Sequence, residues 1–381
     1  MTKKSLSMAI LIPDGEHALL ARHVKNCFSE IPGLSLHLMC NKKHKAIRFS
    51  HYITSFSYYP KTEDETDWIS NINTEIKKHN IDLVMPVYDE SIITLLKHKN
   101  GTGLYDKLVP LPQLKMFDIA YNKALLAKHL KRHQISAPKS FGVNLIDYSG
   151  IEESDFPILA KPVLGIGGGT GIQMFQSKQD FINGFKPKDS EGLFLFEEFI
   201  KGYDLGCNVL CNQGKIIAFT IQKGTLFSEK KYAPQIGLEF LYQKELYEIV
   251  EELMASLDWT GVANIDVRFD TKDGKFKVLE INPRFWATLD ASLSAGVNFP
   301  YLYCLLAFKK EIGLSSYRYI HFLTLKGVLK RLKQDIWLVF RFNFLWNNTS
   351  LKYLIKDPIP FFFTIVNKVR TTVFNIENSK R

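Results

Sequence analysis

The stretch KVLEINPRFW, residues 277–286, places Glu280, Asn282 and Arg284 at every second position behind an apolar lead-in. Alternation with period two marks a strand that shows one face to water or to a site. The segment before it, GVANIDVRFDTKDGK (261–275), alternates in the same way, with Ala263, Ile265, Val267 and Phe269 set against Asn264, Asp266, Arg268 and Asp270. Asp273-Gly274 is a hairpin-turn signal, and a loop of roughly three residues there brings Asp266 opposite Glu280. Asn282 then lies one step along the same face. Two opposed carboxylates repel unless something positive sits between them. Two carboxylates and an amide oxygen are hard ligands suited to Mg²⁺, which keeps its other positions for water and phosphate. A half-solvated strand running into Pro283 is the plain alternative. A one-residue change of register would take Asp266 off the face.

At 381 residues the chain should hold two or three domains of about 100–200 residues each. With 46% hydrophobic and 23% charged residues and no low-complexity tract or internal repeat, it is globular in composition. Cys27, Cys40, Cys207, Cys211 and Cys304 form no CxxC pair and read as buried, reduced thiols, not as a zinc site. The apolar run Met8–Ile12 is shorter than the about 7–15 residues of a signal-peptide core, so it reads as a buried first strand. No run approaches the ~18 apolar residues of a membrane span, and a cytoplasmic protein is expected. The net charge of +10 is unevenly placed. From Arg318 onward seven Lys and five Arg face Asp335, Asp357 and Glu377, a net of +9. The remainder is near neutral, which argues against a nucleic-acid partner for the body.

Strand and helix alternate over the first 110 residues (SMAILIPDG, HALLARHVKNCF, SLHLMC, DWISNINTEIKKH, IDLVMPVYDESIITLLKH), the pattern of an open, mostly parallel α/β sheet. DIAYNKALLAKHLKRHQI (118–135) reads as one amphipathic helix, 156–223 as strands and loops, KELYEIVEELMASLDW as a helix, and AGVNFPYLYCLLAFK as a closing helix on the second domain. In AKPVLGIGGGTGI (160–172) no placement satisfies GxGxxG or GxxxxGK, so the dinucleotide and P-loop readings fail on spacing. What remains is a glycine loop after a strand carrying Lys161. Its backbone N–H groups at Gly167, Gly168 and Gly169 can approach phosphate oxygens closely.

Three segments in this order, ILAKPVLGIGGGTGI (158–172), FLFEEFIKGYDLGCNVL (194–210) and VANIDVRFD with KVLEINPR (262–284), resemble the ATP-grasp superfamily. The likeness is greatest to its carbamoyl-phosphate-synthase-like and carboxylate–amine ligase branches, more distant to D-alanine–D-alanine ligase, and spans roughly 110–310. It implies an α/β (α+β) ATP-grasp fold: a Rossmann-like pre-ATP-grasp domain (1–110), a catalytic domain (111–312, small lobe about 125–200, large lobe about 201–312), and a basic, aromatic-rich helical extension (313–381).

The resemblance also implies roles. Lys123, at the start of its helix, and Lys161 would hold the ATP phosphates from two sides. Glu197 and the backbone of Glu198, Phe199 and Ile200 would take the adenine edge, with Leu279 also at the nucleotide. Asp204 stands where the family has a ribose-binding glutamate and is one methylene shorter. Asp266, Glu280 and Asn282 would hold one or two Mg²⁺, with Mn²⁺ able to substitute. Arg284 would face the transferred phosphate, Arg268 either the same group or a strand-edge ion pair, and Lys223 the acid substrate. The activity implied is ADP-forming: a carboxylate becomes an acyl-phosphate, which an amine then attacks. A non-catalytic or regulatory ATP-binding protein and a bicarbonate-using carboxylase-like enzyme are the alternatives. Partners would be a small-molecule carboxylate and amine, and dimers are common in the family. The loop 224–239 reads as a lid or a surface loop. The basic tail reads as helices docked on the body, or as a peripheral contact with the inner face of the membrane.

Overall fold

The structure, a computed structural model, describes residues 7–98, 104–144, 150–164, 169–185, 193–229, 235–313 and 316–378. Two compact units divide the chain: Met1–Leu111 with Phe285–Gly313 and Phe322–Arg381, and Pro112–Arg284 with Leu314–His321. The first unit starts with β1 (Met8–Ile12), α1 (Ala18–Phe28), β2 (Leu34–Cys40), β3 (Ser55–Tyr58), α2 (Glu65–His79), β4 (Leu83–Val84) and α3 (Asp89–Lys97). The strands are parallel in the order β3-β2-β1-β4, as the alternating pattern predicts. β1 is the expected buried strand, with Ile10, Leu11 and Ile12 inaccessible. All five cysteines are buried free thiols.

The second unit opens with α4 (Leu114–Tyr121) and α5 (Lys123–Arg132), where one helix was expected. Asn122 is extended, and its side-chain oxygen accepts the Ala124 and Leu125 N–H groups at 3.0 Å each. That cap ends one helix and starts the next. A small antiparallel sheet of β5 (Ser140–Val143), β6 (Ile158–Pro162), β7 (Gln173–Phe175) and β8 (Phe194–Glu198) runs in the order β5-β8-β6-β7. The sequence reading missed α6 (Lys178–Gly184), which Ser177 caps by accepting the Asp180 N–H at 3.1 Å. This helix seats Phe181 among the rings of Phe156, Phe175, Phe185 and Phe196.

A large antiparallel sheet follows: β9 (Gly202–Asn212), β10 (Lys215–Leu226), β11 (Gly237–Phe240), then, after α7 (Lys244–Ser256), β12 (Gly261–Asp270) and β13 (Phe276–Asn282). The spatial order includes β13-β12-β9-β10-β11. Both ends of the expected loop 224–239 are therefore strand, closed by a 2.8 Å bond from the Ile236 N–H to the Leu226 carbonyl. Residues 230–234 lie outside those described. Gly202 has no alternative: a Cβ there would stand 1.7 Å from the Phe269 carbonyl oxygen.

The chain then returns to the first unit as α8 (Leu289–Ala295) and α9 (Phe299–Ala307). The helix expected to close the second domain thus packs on α1, where the Asn298 amide donates to the Cys27 carbonyl at 2.8 Å. α10 (Leu325–Gln334), α11 (Phe342–Asn347), α12 (Leu351–Lys356) and α13 (Ile359–Asn378) make the tail helical. Buried Asp357, just past α12, accepts from Lys25 Nζ at 2.8 Å and Ser50 Oγ at 2.5 Å, while Lys352 and Lys356 reach Glu30.

This buried pair yields a prediction. Burial would raise the Asp357 carboxyl, but the hydrogen bonds from Lys25 and Ser50 outweigh it and hold it low. Asp357→Ala leaves the Lys25 ammonium buried and unpaired, a loss of about 3–5 kcal/mol, whereas Lys25→Met with Asp357→Leu should recover most of it. Because the folded carboxyl titrates below its unfolded value of about 3.9, its stabilisation is whole above that pH and is lost as pH falls through the folded value. Denaturant midpoints of the three proteins decide; a single variant as stable as the parent excludes the pair as a tether.

Candidate functional site

β12 lies between β9 and β13, and β10 pairs with the other edge of β9, so side chains facing one another across four strands share a surface. One row is Thr220, Asn208, Asn264 and Asn282; the next is Gln222, Gly206, Asp266 and Glu280; in a third Asp204 opposes Arg268. Asp266 thus stands opposite Glu280, with Asn282 two residues along. The route to that register differs from the simple hairpin. The turn takes five residues, 271–275, and pairs Phe269 with Phe276 and Val267 with Val278, a register that, continued, would set Asp266 against Leu279. A β-bulge skips Leu279 and restores the carboxylate pair. Bulges re-aim side chains in this way.

The amides form a ladder. Asn282 Nδ2 donates to Asn264 Oδ1 at 3.1 Å, Asn264 Nδ2 to Asn208 Oδ1 at 3.0 Å, and Asn208 Nδ2 to Thr220 Oγ1 at 3.1 Å. Asn282 Nδ2 also lies 3.3 Å from Asp266 Oδ2, and Arg284 donates to Asn282 Oδ1 at 3.3 Å. Burial, then the charge of Glu280, pushes the Asp266 carboxyl well above its ordinary value. Glu280 is held low: burial would raise it, but Lys123, whose ammonium is 3.4 Å away, a hydrogen bond from Asp266, and Lys161 together prevail. The two carboxyls are thus shifted in opposite directions, and a divalent cation is what would let both stand here as carboxylates. Among the described residues no three His, Cys, Asp or Glu side chains cluster around a metal position; the donor set that fits here is two carboxylates and an amide.

Two lysines lie close to Val163. Asn122 makes Lys123 the first residue of α5, and the Lys123 N–H donates to the Val163 carbonyl at 3.1 Å. Lys161 is buried two residues before that carbonyl and pairs with Glu197 at 2.6 Å. Glu197, expected at the adenine edge, is therefore the ion-pair partner of Lys161. Gly169 and Gly171 have φ of 69° and 82°, the region glycine favours. Gly167 and Gly168 lie outside the described residues.

The hinge segment differs from expectation at two positions. The Glu198 N–H is bonded to the Lys139 carbonyl at 2.9 Å and the Phe199 N–H to the Pro157 carbonyl at 3.0 Å, so neither can serve a base edge without losing a backbone bond. Arg268 clamps this hinge. It donates to the Ile200 carbonyl at 2.7 Å, the Gly202 carbonyl at 3.0 Å and the Asp204 carboxylate, the strand-edge alternative for this residue. Lys277, which the sequence reading passed over, binds Asp270 at 2.8 Å, Asp273 at 3.2 Å and Glu198 at 3.3 Å. Lys223 needs a correction. It pairs with Leu205, one step out of phase with Gln222 and Gly206, and its ammonium sits 4.0 Å from the centre of the Tyr203 ring. Strand alternation turns it away from the carboxylate face.

Comparison with known proteins places this geometry. Residues 120–288 match a family model described as an ATP-grasp domain. The carbamoyl phosphate synthase large chain of Clostridium perfringens strain SM101 is 23% identical over 230 residues, covering 52% of this chain and 21% of that protein; the chain thus spans about a fifth of that relative's length. Among solved structures, L-amino acid ligase from Bacillus licheniformis superposes with a TM-score of 0.59 at 18% identity, covering 81% of this chain and 75% of that one. Biotin carboxylase from Campylobacter jejuni superposes at 0.62 and 15% identity, covering 82% and 74%. These structural likenesses establish the fold.

The ladder should carry stability as well as position. Asn264→Ala strips a partner from both Asn208 and Asn282, at about 1–3 kcal/mol for each polar group left buried and unsatisfied. Chemical denaturation measures the loss; an unchanged midpoint would mean the amides bond elsewhere.

Proposed function

Because residues 120–288 of this chain are an ATP-grasp domain, we propose that the protein is an ATP-dependent, ADP-forming ligase that couples a small-molecule carboxylate to an amine. The observation that carries this reading is the opposed Asp266 and Glu280, set beside Asn282 and within reach of Lys123. A site that holds two carboxylates in register and surrounds them with cations is suited to a divalent ion and a polyanionic nucleotide.

Asp266, Glu280 and Asn282 are the residues that would hold Mg²⁺, which when bound would neutralise charge between the β- and γ-phosphates. Lys123 and Lys161 would grip the phosphates from the α5 and β6 sides. Ile200 and the carbonyls of the hinge would meet the adenine, and Asp204, fixed by Arg268, would offer its second oxygen to the ribose. A substrate carboxylate oxygen attacks the γ-phosphorus and ADP departs. The amine nitrogen then attacks the acyl carbon of the acyl-phosphate and inorganic phosphate leaves. Arg284, two residues beyond Asn282, presents a planar fork suited to that phosphate. Positioning and charge neutralisation supply the rate.

The likeness to biotin carboxylase favours one second reading, in which bicarbonate is the carboxylate that is phosphorylated. Incorporation of labelled bicarbonate separates the two.

An acid-by-amine screen should find pairs that release ADP and phosphate, with hydroxylamine trapping the acyl-phosphate; AMP and pyrophosphate would refute the chemistry. Asp266→Asn and Glu280→Gln should each lower kcat by about a thousandfold, ~4 kcal/mol of transition-state stabilisation. Asp266→Asn removes one of two opposed carboxylates, so its melting temperature should hold or rise while turnover falls. Near-normal turnover in either variant would remove these residues from the site.

A further inference from the structure

The tail is docked on one side and open on the other. Val328, Leu338 and Tyr353 are buried with Asp357, which fixes the segment to the first unit. Facing away, Ile336, Trp337, Val339, Phe340 and Phe342 are exposed together; Trp337 is 69% and Phe342 71% accessible. The Trp337 and Phe340 rings lie 5.7 Å apart, and Asp335 accepts the Trp337 N–H at 3.1 Å, which fixes the turn that presents them. This is a preformed apolar knob. Monomeric proteins rarely leave such a group in water without a use for it.

Cations ring the knob. On α10, Lys326, Leu329 and Lys333 are spaced by three and four residues and all are exposed, so one outward face carries an apolar side chain between two ammonium groups. Arg331 is exposed beside them, and Arg341 stands between Phe340 and Phe342. Residues 325–342 hold five Lys and Arg against the single acid Asp335. A second apolar stripe, Phe362, Ile365, Val366 and Val369, lies exposed along α13 with Arg370 beside it. Among the described residues no helix is long and apolar enough to cross a membrane.

We propose that this face docks on an anionic lipid surface, with Trp337, Phe340 and Phe342 entering the headgroup boundary while Lys326, Arg331, Lys333 and Arg341 meet lipid phosphates. Charge selects the occupant. Aromatic side chains interleaved with cations match an interface that is apolar beneath and negative above. A second copy of the chain, packed by two-fold symmetry, would press the same cations together.

The test uses the full chain and needs no turnover. It should co-sediment with phosphatidylcholine vesicles containing phosphatidylglycerol, not with phosphatidylcholine alone, and added salt should release it. Lys326→Glu, Arg331→Glu and Lys333→Glu together should lower the partition coefficient by at least about a hundredfold, from roughly fivefold per cation. Trp337→Ser with Phe340→Ser and Phe342→Ser should weaken it comparably with an unchanged melting temperature, since all three are exposed; Trp337→Ser alone provides the same reading at smaller amplitude. Equal binding to neutral vesicles, or variants that bind like the parent, would overturn the proposal. So would light scattering that finds a dimer dissolved by the aromatic substitutions, or capture by soluble dextran sulfate that ignores them.

Discussion

Two carboxylates on neighbouring strands, Asp266 and Glu280, are the constraint around which the second unit is arranged. Like charges directly opposed across a sheet are destabilising, and a sheet free to choose would slip by one residue and separate them. The turn at 271–275 sets up that slip, since it would put Asp266 against Leu279. The bulge at Leu279 undoes it at the last moment before Glu280. A local irregularity that forces an unfavourable pair is the kind of feature that marks a site, because burial of apolar surface gains nothing from it. The Asn282–Asn264–Asn208–Thr220 ladder then pins the next row, where every rung would be broken by a shift in register.

Much of this was legible in the amino-acid order. Period-two alternation in 261–270 and 277–284, together with Asp273-Gly274, gave the hairpin and the facing of Asp266, Glu280 and Asn282. The bulge was not legible, because no residue type marks it; Leu279 is an ordinary strand residue. Asn208 could have been found, since Asp204, Gly206 and Asn208 alternate with Leu205, Cys207 and Val209 in the same rhythm. The same rule, applied to β10, would have set Lys223 on the far face from Gln222. The Glu197–Lys161 pair joins strands 36 residues apart in sequence, and no local pattern reports such a contact. The Asn122 cap was hidden inside an amphipathic run whose periodicity carries on through it.

The larger departure is the return of 285–313 to the first unit. Helix periodicity says that a face must be covered and is silent on what covers it. α9 satisfies its face against α1, with Asn298 reaching the Cys27 carbonyl. The sequence that carries the carboxylates therefore leads without a linker from one compact unit into the other at Arg284 and Phe285.

Charge explains why the site is lined as it is. Lys161 is buried, and a buried charge needs a partner. Glu197 pairs with it at 2.6 Å, and Glu280 lies 3.4 Å from the Lys123 ammonium. Each lysine thus faces a carboxylate that is itself carried on a strand. On the proposed reading, a nucleoside triphosphate entering here would add negative charge to a place already carrying Glu197, Glu280 and Asp266, more than two ammonium groups can offset. A divalent cation would offset the Asp266 and Glu280 carboxylates and leave the lysines to the phosphates. Glu197, Glu280 and Asp266 would then face Lys123, Lys161 and the ion, three negative charges against four positive, a surplus that suits a polyanion.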